Sequence, residues 1–172
     1  MTTLITGGSK CGKSRLAESL LDNYTENKIY IATMQPYGED AHAAIERHRK
    51  IRAGRGFETI EKYTGLDELE LPENCAVLLE CLGNLCANEM FPDNGIVTDP
   101  TERVMRGIEH LHRVAGTLVI VTNNVGSDGI DYSPETNGYI EAMGRLNVLA
   151  AALADNVAEC VYGIPVILKG EL

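Results

Sequence analysis

Tryptophan is absent from this chain of 172 residues, which also has only two phenylalanines and no apolar stretch longer than a strand. A membrane-spanning helix needs ~20 consecutive apolar residues, so we expect no membrane span. The first strand-like segment starts at residue 3, and we therefore expect no signal peptide. Basic residues are scarce as well. The chain has 15 Lys and Arg against 25 Asp and Glu, and its net charge of −10 argues against a nucleic-acid partner.

Closely spaced cysteine pairs are also missing. The five cysteines are scattered and odd in number, which is not the pattern of a zinc site or of a disulfide framework. They are Cys11, Cys75, Cys81, Cys86 and Cys160. This pattern predicts reduced thiols in a cytoplasmic protein.

The most informative motif present is G-x-x-x-x-G-K-S, which runs from Gly7 to Ser14 between a short apolar strand and an amphipathic helix. Gly7 and Gly12 let the loop bend so that successive backbone N–H groups point at one spot, where they can hold a polyphosphate. Lys13 adds a positive charge at the β- and γ-phosphates, and Ser14 offers a hydroxyl to Mg²⁺. The motif predicts a nucleotide-binding P-loop protein.

Apolar segments of strand length alternate with helical patterns along the chain. The predicted strands are Thr3–Thr6, Ile29–Thr33, Ala76–Glu80, Leu118–Thr122, Ala158–Tyr162 and Val166–Leu168. The predicted helices are Lys13–Leu21, Asp40–Ala53, one after Cys81, Thr101–Val114 and Glu135–Ala154, and the predicted loops are Pro72–Asn74, Pro92–Gly95, Gly126–Pro134 and Gly163–Pro165. The alternation predicts an α/β fold with a mainly parallel sheet covered by helices on both faces. No linker is evident, so we expect one domain over residues 1–172.

Ligands of such sheets bind beyond the carboxyl ends of the strands. This rule predicts one functional edge, formed by Gly7–Ser14, Thr33–Asp40, Glu80 and Thr122–Pro134. Glu80 closes an apolar strand, where a P-loop protein commonly has the acid that orients Mg²⁺ or its water shell. The alternative is a strand-end carboxylate that faces solvent.

A basic helical segment follows the second predicted strand. Ile45, His48, Arg49 and Arg52 recur at helical spacing, which predicts a shared face. Two guanidinium groups beside an imidazole suit phosphates, and nearby cations favour the neutral imidazole that can attack phosphorus. Taken alone, the pattern is explained better by a basic helix face that is merely solvated.

The sequence resembles the bifunctional adenosylcobinamide kinase/adenosylcobinamide-phosphate guanylyltransferase family of cobalamin biosynthesis. The matching features run nearly from end to end. They are Ile5–Gly8, Gly12–Arg15, Tyr30–Thr33, Ile45-x-x-His48-Arg49-x-x-Arg52, Thr59–Glu61, Leu78–Cys81, Val121–Asn123 with Val125–Gly126, Gly144–Asn147, and Gly163–Pro165 with Lys169.

The resemblance implies a RecA-like fold, a homotrimer and two reactions. The first phosphorylates adenosylcobinamide with a nucleoside triphosphate, ATP or GTP. The second transfers GMP from GTP to adenosylcobinamide phosphate through a GMP-histidine intermediate, which falls on His48. Implied nucleotide contacts are Gly7, Gly8, Ser9, Lys10, Cys11, Gly12, Lys13, Ser14, Ala32, Thr33, Met34, Arg49, Lys50, Ile51, Arg52, Glu61 and Glu80. Lys13 and His48 are the expected catalytic residues, and Ser14 and Glu80 the expected Mg²⁺ ligands.

The chain departs from the family pattern at a few positions. Asn124 stands where the family has a glutamate, Tyr139–Ala142 replaces a Phe-Arg-Asp triplet, and Phe57 takes the place of a tryptophan. These departures concern the acceptor pocket and the kinase step. Two other functions remain as alternatives, a nucleotide-driven switch or assembly module and a plain small-molecule kinase.

Overall fold

A computed structural model describes residues 1–25 and 27–172, apart from the side chains of residues 40, 41, 44 and 51. The seven strands are β1 (Thr2–Thr6), β2 (Lys28–Ala32), β3 (Phe57–Glu61), β4 (Ala76–Glu80), β5 (Thr117–Val121), β6 (Asn156–Val161) and β7 (Ile164–Lys169). The α-helices are α1 (Lys13–Ser19), α2 (Gly38–Arg52), α3 (Leu82–Met90), α4 (Thr101–Val114) and α5 (Pro134–Leu153), and Leu66–Glu68 form a 3-10 turn.

The strands form one sheet in the order β3-β2-β4-β5-β1-β6-β7. Every neighbouring pair is parallel except β6 and β7, which form an antiparallel hairpin at the edge. The chain therefore has the predicted α/β fold with a mainly parallel sheet.

Successive side chains of the central strands point to opposite faces of the sheet, where they form two separate hydrophobic cores. Val77 and Leu79 pack with α3, α4 and α5 in the larger core. Ala76 and Leu78 pack in the smaller core, which is covered by Ala17 of α1 and by Leu21 just after that helix. Burial on both faces explains why these strands read as continuous apolar runs.

Two sequence predictions need correction at the sheet edges. β3 was not among the predicted strands, because Phe57–Glu61 is a half-exposed edge segment that includes two glutamates. The segment Gly163–Pro165 is not a loop throughout, since β7 starts at Ile164 and Pro165 pairs with Cys160 on the edge strand, where proline is tolerated. All six residues of β7 are exposed, so helices do not cover this strand. The other predicted segments agree with the structure to within two residues at each end.

Candidate functional site

The carboxyl ends of four parallel strands bring the predicted functional segments together. Backbone hydrogen bonds join the loops that leave these strands. Thr33 N donates to Glu80 O at 3.1 Å, Thr122 N to Ile5 O at 2.9 Å, and Asn124 N to Gly7 O at 3.2 Å. The edge that topology predicts therefore exists, with the phosphate loop between β1 and α1.

The phosphate loop is tightly packed against the end of β6 and the β6–β7 turn. Gly7 has φ +142° and Gly12 has φ +105°, values that side chains disfavour. A Cβ on Gly7 would lie 2.7 Å from the carbonyl oxygen of Cys160, and one on Gly12 would lie 3.1 Å from the Cα of Gly163. Glycine is therefore required at both positions by conformation and by space.

Lys13, the first residue of α1, is buried at the base of this loop. Its Nζ donates to the carbonyl oxygens of Gly7 at 3.0 Å and Gly8 at 2.5 Å. The ammonium group is thus held inside the curve of the loop, where it can exchange these contacts for phosphate oxygens.

Glu80 lies across from the loop at the end of β4, and three side chains approach its two oxygens. Ser14 Oγ donates to Oε1, and Tyr30 donates from its hydroxyl to Oε2 at 2.9 Å. His48 Nδ1 lies 3.7 Å from Oε1. A hydroxyl and a carboxylate side by side beside a phosphate loop are donors that suit Mg²⁺. Among the described residues, no group of three His, Cys, Asp or Glu side chains forms a metal site.

His48 projects from α2 into the cavity that contains the phosphate loop. The imidazole is 20% exposed, and its Nδ1 is buried without a hydrogen-bond partner. The cavity has a volume of about 690 Å³. Its walls come from the loop, from the ends of β2, β4 and β5, and from α2 and α3. The residues are Ser9, Lys10, Cys11, Gly12, Lys13, Ser14, Arg15, Tyr30, Ala32, Met34, Ile45, Arg47, His48, Arg52, Glu80, Cys81, Asn84, Val121 and Asn123.

Of the two arginines predicted to share a face with His48, only Arg52 lines the cavity that contains the imidazole. Arg52 is buried, and its guanidinium carbon lies 3.4 Å from the centroid of the Tyr30 ring. Arg49 is 52% exposed and forms surface ion pairs with Glu46 and Glu61. The expectation that both arginines lie beside His48 is wrong for Arg49, because consecutive helical residues diverge by about 100°. A carboxylate oxygen of Glu80, which the sequence did not place beside the imidazole, lies 3.7 Å from Nδ1.

The remaining predicted contacts fall into two groups. Ala32 and Met34 line the cavity, and Thr33 between them is buried, with Oγ1 accepting from Cys81 N at 2.8 Å and donating to Cys81 O at 2.9 Å. Glu61 and Lys50 lie outside the cavity lining, and Lys50 is exposed. Ile51 has a side chain outside the described part of the structure.

Eight residues of the cavity lining were not among the predicted site residues. They are Arg15, Tyr30, Ile45, Arg47, Cys81, Asn84, Val121 and Asn123. The sequence could have indicated Tyr30, because a tyrosine hydroxyl in an otherwise aliphatic buried strand requires a hydrogen-bond partner. Burial, reinforced by the charge of Glu80, raises the pKa of Tyr30, so the hydroxyl stays protonated and remains a donor to Glu80. The two asparagines carried no comparable signal.

Comparison with known proteins shows the family of this chain. The model of the cobinamide kinase/cobinamide phosphate guanyltransferase family matches residues 3–168. The chain belongs to this family. The sequence is 34% identical to the bifunctional adenosylcobalamin biosynthesis protein CobU of Escherichia coli K12, a match that covers 98% of this chain and 100% of the relative. It is 29% identical to the corresponding protein CobP of Pseudomonas aeruginosa, with 99% of each chain covered.

These comparisons confirm the predicted fold class and the predicted pair of activities, cobinamide kinase and cobinamide phosphate guanylyltransferase. A solved protein structure from Pyrococcus horikoshii OT3 has the same fold, with a TM-score of 0.54 over 99% of this chain and 87% of that chain at 10% identity. No helix in the described residues is both long enough and apolar enough to cross a membrane.

Proposed function

We propose that one cavity and one phosphate loop perform both reactions of this enzyme. The first phosphorylates the hydroxyl of adenosylcobinamide with a nucleoside triphosphate, and the second transfers GMP from GTP to the resulting phosphate. The observation that carries this proposal is the convergence of Lys13, Glu80 and His48 on a single cavity. A second phosphate-binding loop is not evident in the sequence, so the nucleotides of both reactions would bind at the same phosphate loop.

The phosphate loop is suited to the triphosphate of either nucleotide. Its backbone N–H groups and the N-terminus of α1 favour anions. Lys13 would exchange its contacts with the Gly7 and Gly8 carbonyl groups for the β- and γ-phosphate oxygens. With the β- and γ-phosphates held there, the α-phosphate would lie nearer the His48 side of the cavity.

His48 is the residue we assign as the covalent nucleophile of guanylyl transfer. An imidazole nitrogen attacks the α-phosphorus of GTP while the bond from that phosphorus to the pyrophosphate oxygen breaks, and pyrophosphate leaves. A phosphate oxygen of adenosylcobinamide phosphate then attacks the same phosphorus and releases the histidine, giving adenosyl-GDP-cobinamide. Because Nδ1 faces Glu80 at 3.7 Å, Nε2 is the nitrogen available for attack.

Mg²⁺ fits the oxygen donors of Ser14 and Glu80. Ser14 and Glu80 would hold it together with phosphate oxygens and water, a ligand set that this ion commonly uses. When bound, the ion would neutralise phosphate charge as pyrophosphate or a γ-phosphoryl group departs. Lys13 and the loop amides contribute to the same charge stabilisation.

The assembly and the cellular location are also part of the proposal. β7 exposes a row of apolar side chains, including Ile164 at 66% and Leu168 at 60%, next to an exposed Tyr162. An apolar surface of this kind is typical of a subunit contact, and it supports the homotrimer that the family resemblance implies. All five cysteines are free thiols, which agrees with a cytoplasmic enzyme.

Covalent labelling tests the proposal. The protein is incubated with Mg²⁺ and GTP radiolabelled at the α-phosphate, and protein-bound label is measured after denaturation. We expect a phosphoramidate that is labile in acid and stable in alkali. His48→Asn should take up no label, whereas His42→Asn is the matched control, because His42 is an exposed residue of the same helix.

The outcomes separate the proposal from its alternatives. A protein that phosphorylates adenosylcobinamide without binding label would be a plain kinase. A protein that only hydrolyses GTP would be a switch or assembly module. Label that mass spectrometry places on a residue other than His48 would refute the assigned nucleophile.

A further inference from the structure

Tyr30 joins two parts of the site that the sequence treats as separate. The residue lies in the middle of β2 and is 4% exposed. One face of its ring lies under the guanidinium of Arg52, 3.4 Å from the ring centroid, and its hydroxyl donates to Glu80 Oε2 at 2.9 Å. The nearby Phe57 ring makes a T-shaped contact with it, with centroids 6.4 Å apart. One side chain therefore contacts both the nucleophile helix and the strand-end acid.

The Arg52 contact is important because α2 packs lightly on the rest of the protein. Arg52 is the only buried side chain among those described in this helix. His48 lies one turn earlier on the same helix face. The position of the imidazole therefore depends on how Arg52 sits on the Tyr30 ring.

The hydroxyl contact settles the orientation of Glu80. Tyr30 occupies Oε2, so Oε1 is the oxygen presented to Ser14 and His48. Without this donor, the hydrogen bond from Ser14 to Oε1 is what remains of these two restraints on the terminal torsion of Glu80, which is broad for glutamate. Groups that hold a metal ligand in place typically contribute about 10- to 100-fold to metal affinity or activity.

We propose that Tyr30 is a positioning residue for both halves of the site. Its hydroxyl orients Glu80 toward the cation, and its ring holds Arg52 in place and thereby positions the imidazole of His48. This inference rests on the proposed function, because it assumes that Glu80 serves a divalent cation and that His48 accepts GMP. It predicts that the two halves can be separated by substitution. Tyr30→Phe keeps the ring and removes the hydroxyl, whereas Tyr30→Leu removes both.

The first measurement is cation binding without turnover. Mn²⁺, as a paramagnetic substitute for Mg²⁺, is titrated into the protein with α,β-methylene-GTP, and free Mn²⁺ is followed by electron paramagnetic resonance. We expect Tyr30→Phe to weaken Mn²⁺ binding by about 10-fold or more. Tyr24→Phe is the control, because Tyr24 also loses a side-chain hydrogen bond, to Thr117, without touching Glu80. Its Mn²⁺ affinity should match that of the wild type.

The second measurement is GMP labelling at saturating Mg²⁺. Tyr30→Phe should regain labelling close to the wild-type rate. Tyr30→Leu should stay at least about 10-fold slower, because Arg52 no longer has an aromatic ring to stack on. Thermal unfolding identifies any variant that fails to fold. Wild-type Mn²⁺ affinity in Tyr30→Phe, or full labelling of a folded Tyr30→Leu, would overturn the inference while leaving the GMP-histidine chemistry intact. A wild-type protein that takes up no label would instead refute the proposed function.

Discussion

The phosphate loop and the helix α2 form opposite walls of one cavity, but they are held in place very differently. The loop is fixed by glycines packed against the β6–β7 turn and by a buried Lys13 bonded to its carbonyl groups. In α2, Arg52 is the one buried side chain among those described. The phosphate loop is thus part of the fold, whereas the wall that contains His48 is attached to it through a few contacts. Substitutions in the two walls should therefore affect different properties.

Lys13→Ala should have the largest effect, because it removes the charge that we propose both reactions use. We expect phosphorylation and guanylylation each to fall by about 10²- to 10³-fold, the usual cost of losing a preorganised electrostatic contact. Lys62→Ala is the control, since Lys62 pairs on the surface with Glu68. Steady-state rates of both reactions measure the effect. A loss confined to one reaction would reveal a second nucleotide site.

Gly7→Ala and Gly38→Ala compare the two walls directly in stability. A Cβ on Gly7 meets the Cys160 carbonyl at 2.7 Å, whereas one on Gly38, the first residue of α2, meets nothing within 4 Å. Both residues have positive φ, so both variants carry conformational strain, but only Gly7→Ala adds a clash. We expect Gly7→Ala to lose about 2–5 kcal/mol and Gly38→Ala about 1 kcal/mol. Equal losses in chemical denaturation would show that the loop is less tightly packed than the structure indicates.

Glu18 makes the stability of the α1 side depend on pH. Burial raises the pKa of this carboxyl to about 7, and the charge of Glu80 adds to the rise while Arg55 opposes it. The folded protein therefore keeps a proton that the unfolded chain releases, so stability falls as pH rises from about 4.5 to about 7. Glu18→Gln should be more stable than the wild type by about 3 kcal/mol at pH 8 and equal to it near pH 4. Thermal unfolding across this pH range would contradict the account if the difference were constant.

Asn124→Glu is expected to have the smallest effect. Asn124 is exposed, and its backbone N–H donates to Gly7 O, which places the residue beside the phosphate loop. An acid there could accept the proton of the acceptor hydroxyl in the kinase step. Phosphoryl transfer depends mainly on positioning and charge, so we expect a rise of a few-fold in the kinase rate and no change in GMP labelling. Identical kinase rates would mean that the departure at Asn124 is neutral.

The better packed wall is also the one that the sequence predicted more completely. The glycines, Lys13 and Ser14 occur at fixed spacing in one loop, and Glu80 ends a strand whose burial makes it continuously apolar. Local sequence determines both features, so the pattern of residues alone is enough to place them at the same sheet edge.

The α2 wall was harder to predict because its contacts are made across the fold. Helical spacing could not show that Arg52 stacks on a tyrosine from β2 while Arg49 pairs with Glu61 from β3. β3 itself is polar and half exposed, so it lacked the apolar signal of the inner strands. The contact between Tyr30 and Glu80 joins residues 50 positions apart, a separation that no periodic pattern encodes.

The transfer of GMP from the protein to its acceptor decides whether His48 is an intermediate in the reaction. Protein labelled from α-phosphate-labelled GTP is freed of nucleotide and mixed with adenosylcobinamide phosphate, and the label is followed over time. The account predicts that the label leaves His48 and appears as adenosyl-GDP-cobinamide at least as fast as steady-state turnover. Label that stays on the protein, or that is released only as free GMP, would contradict a covalent route through this cavity.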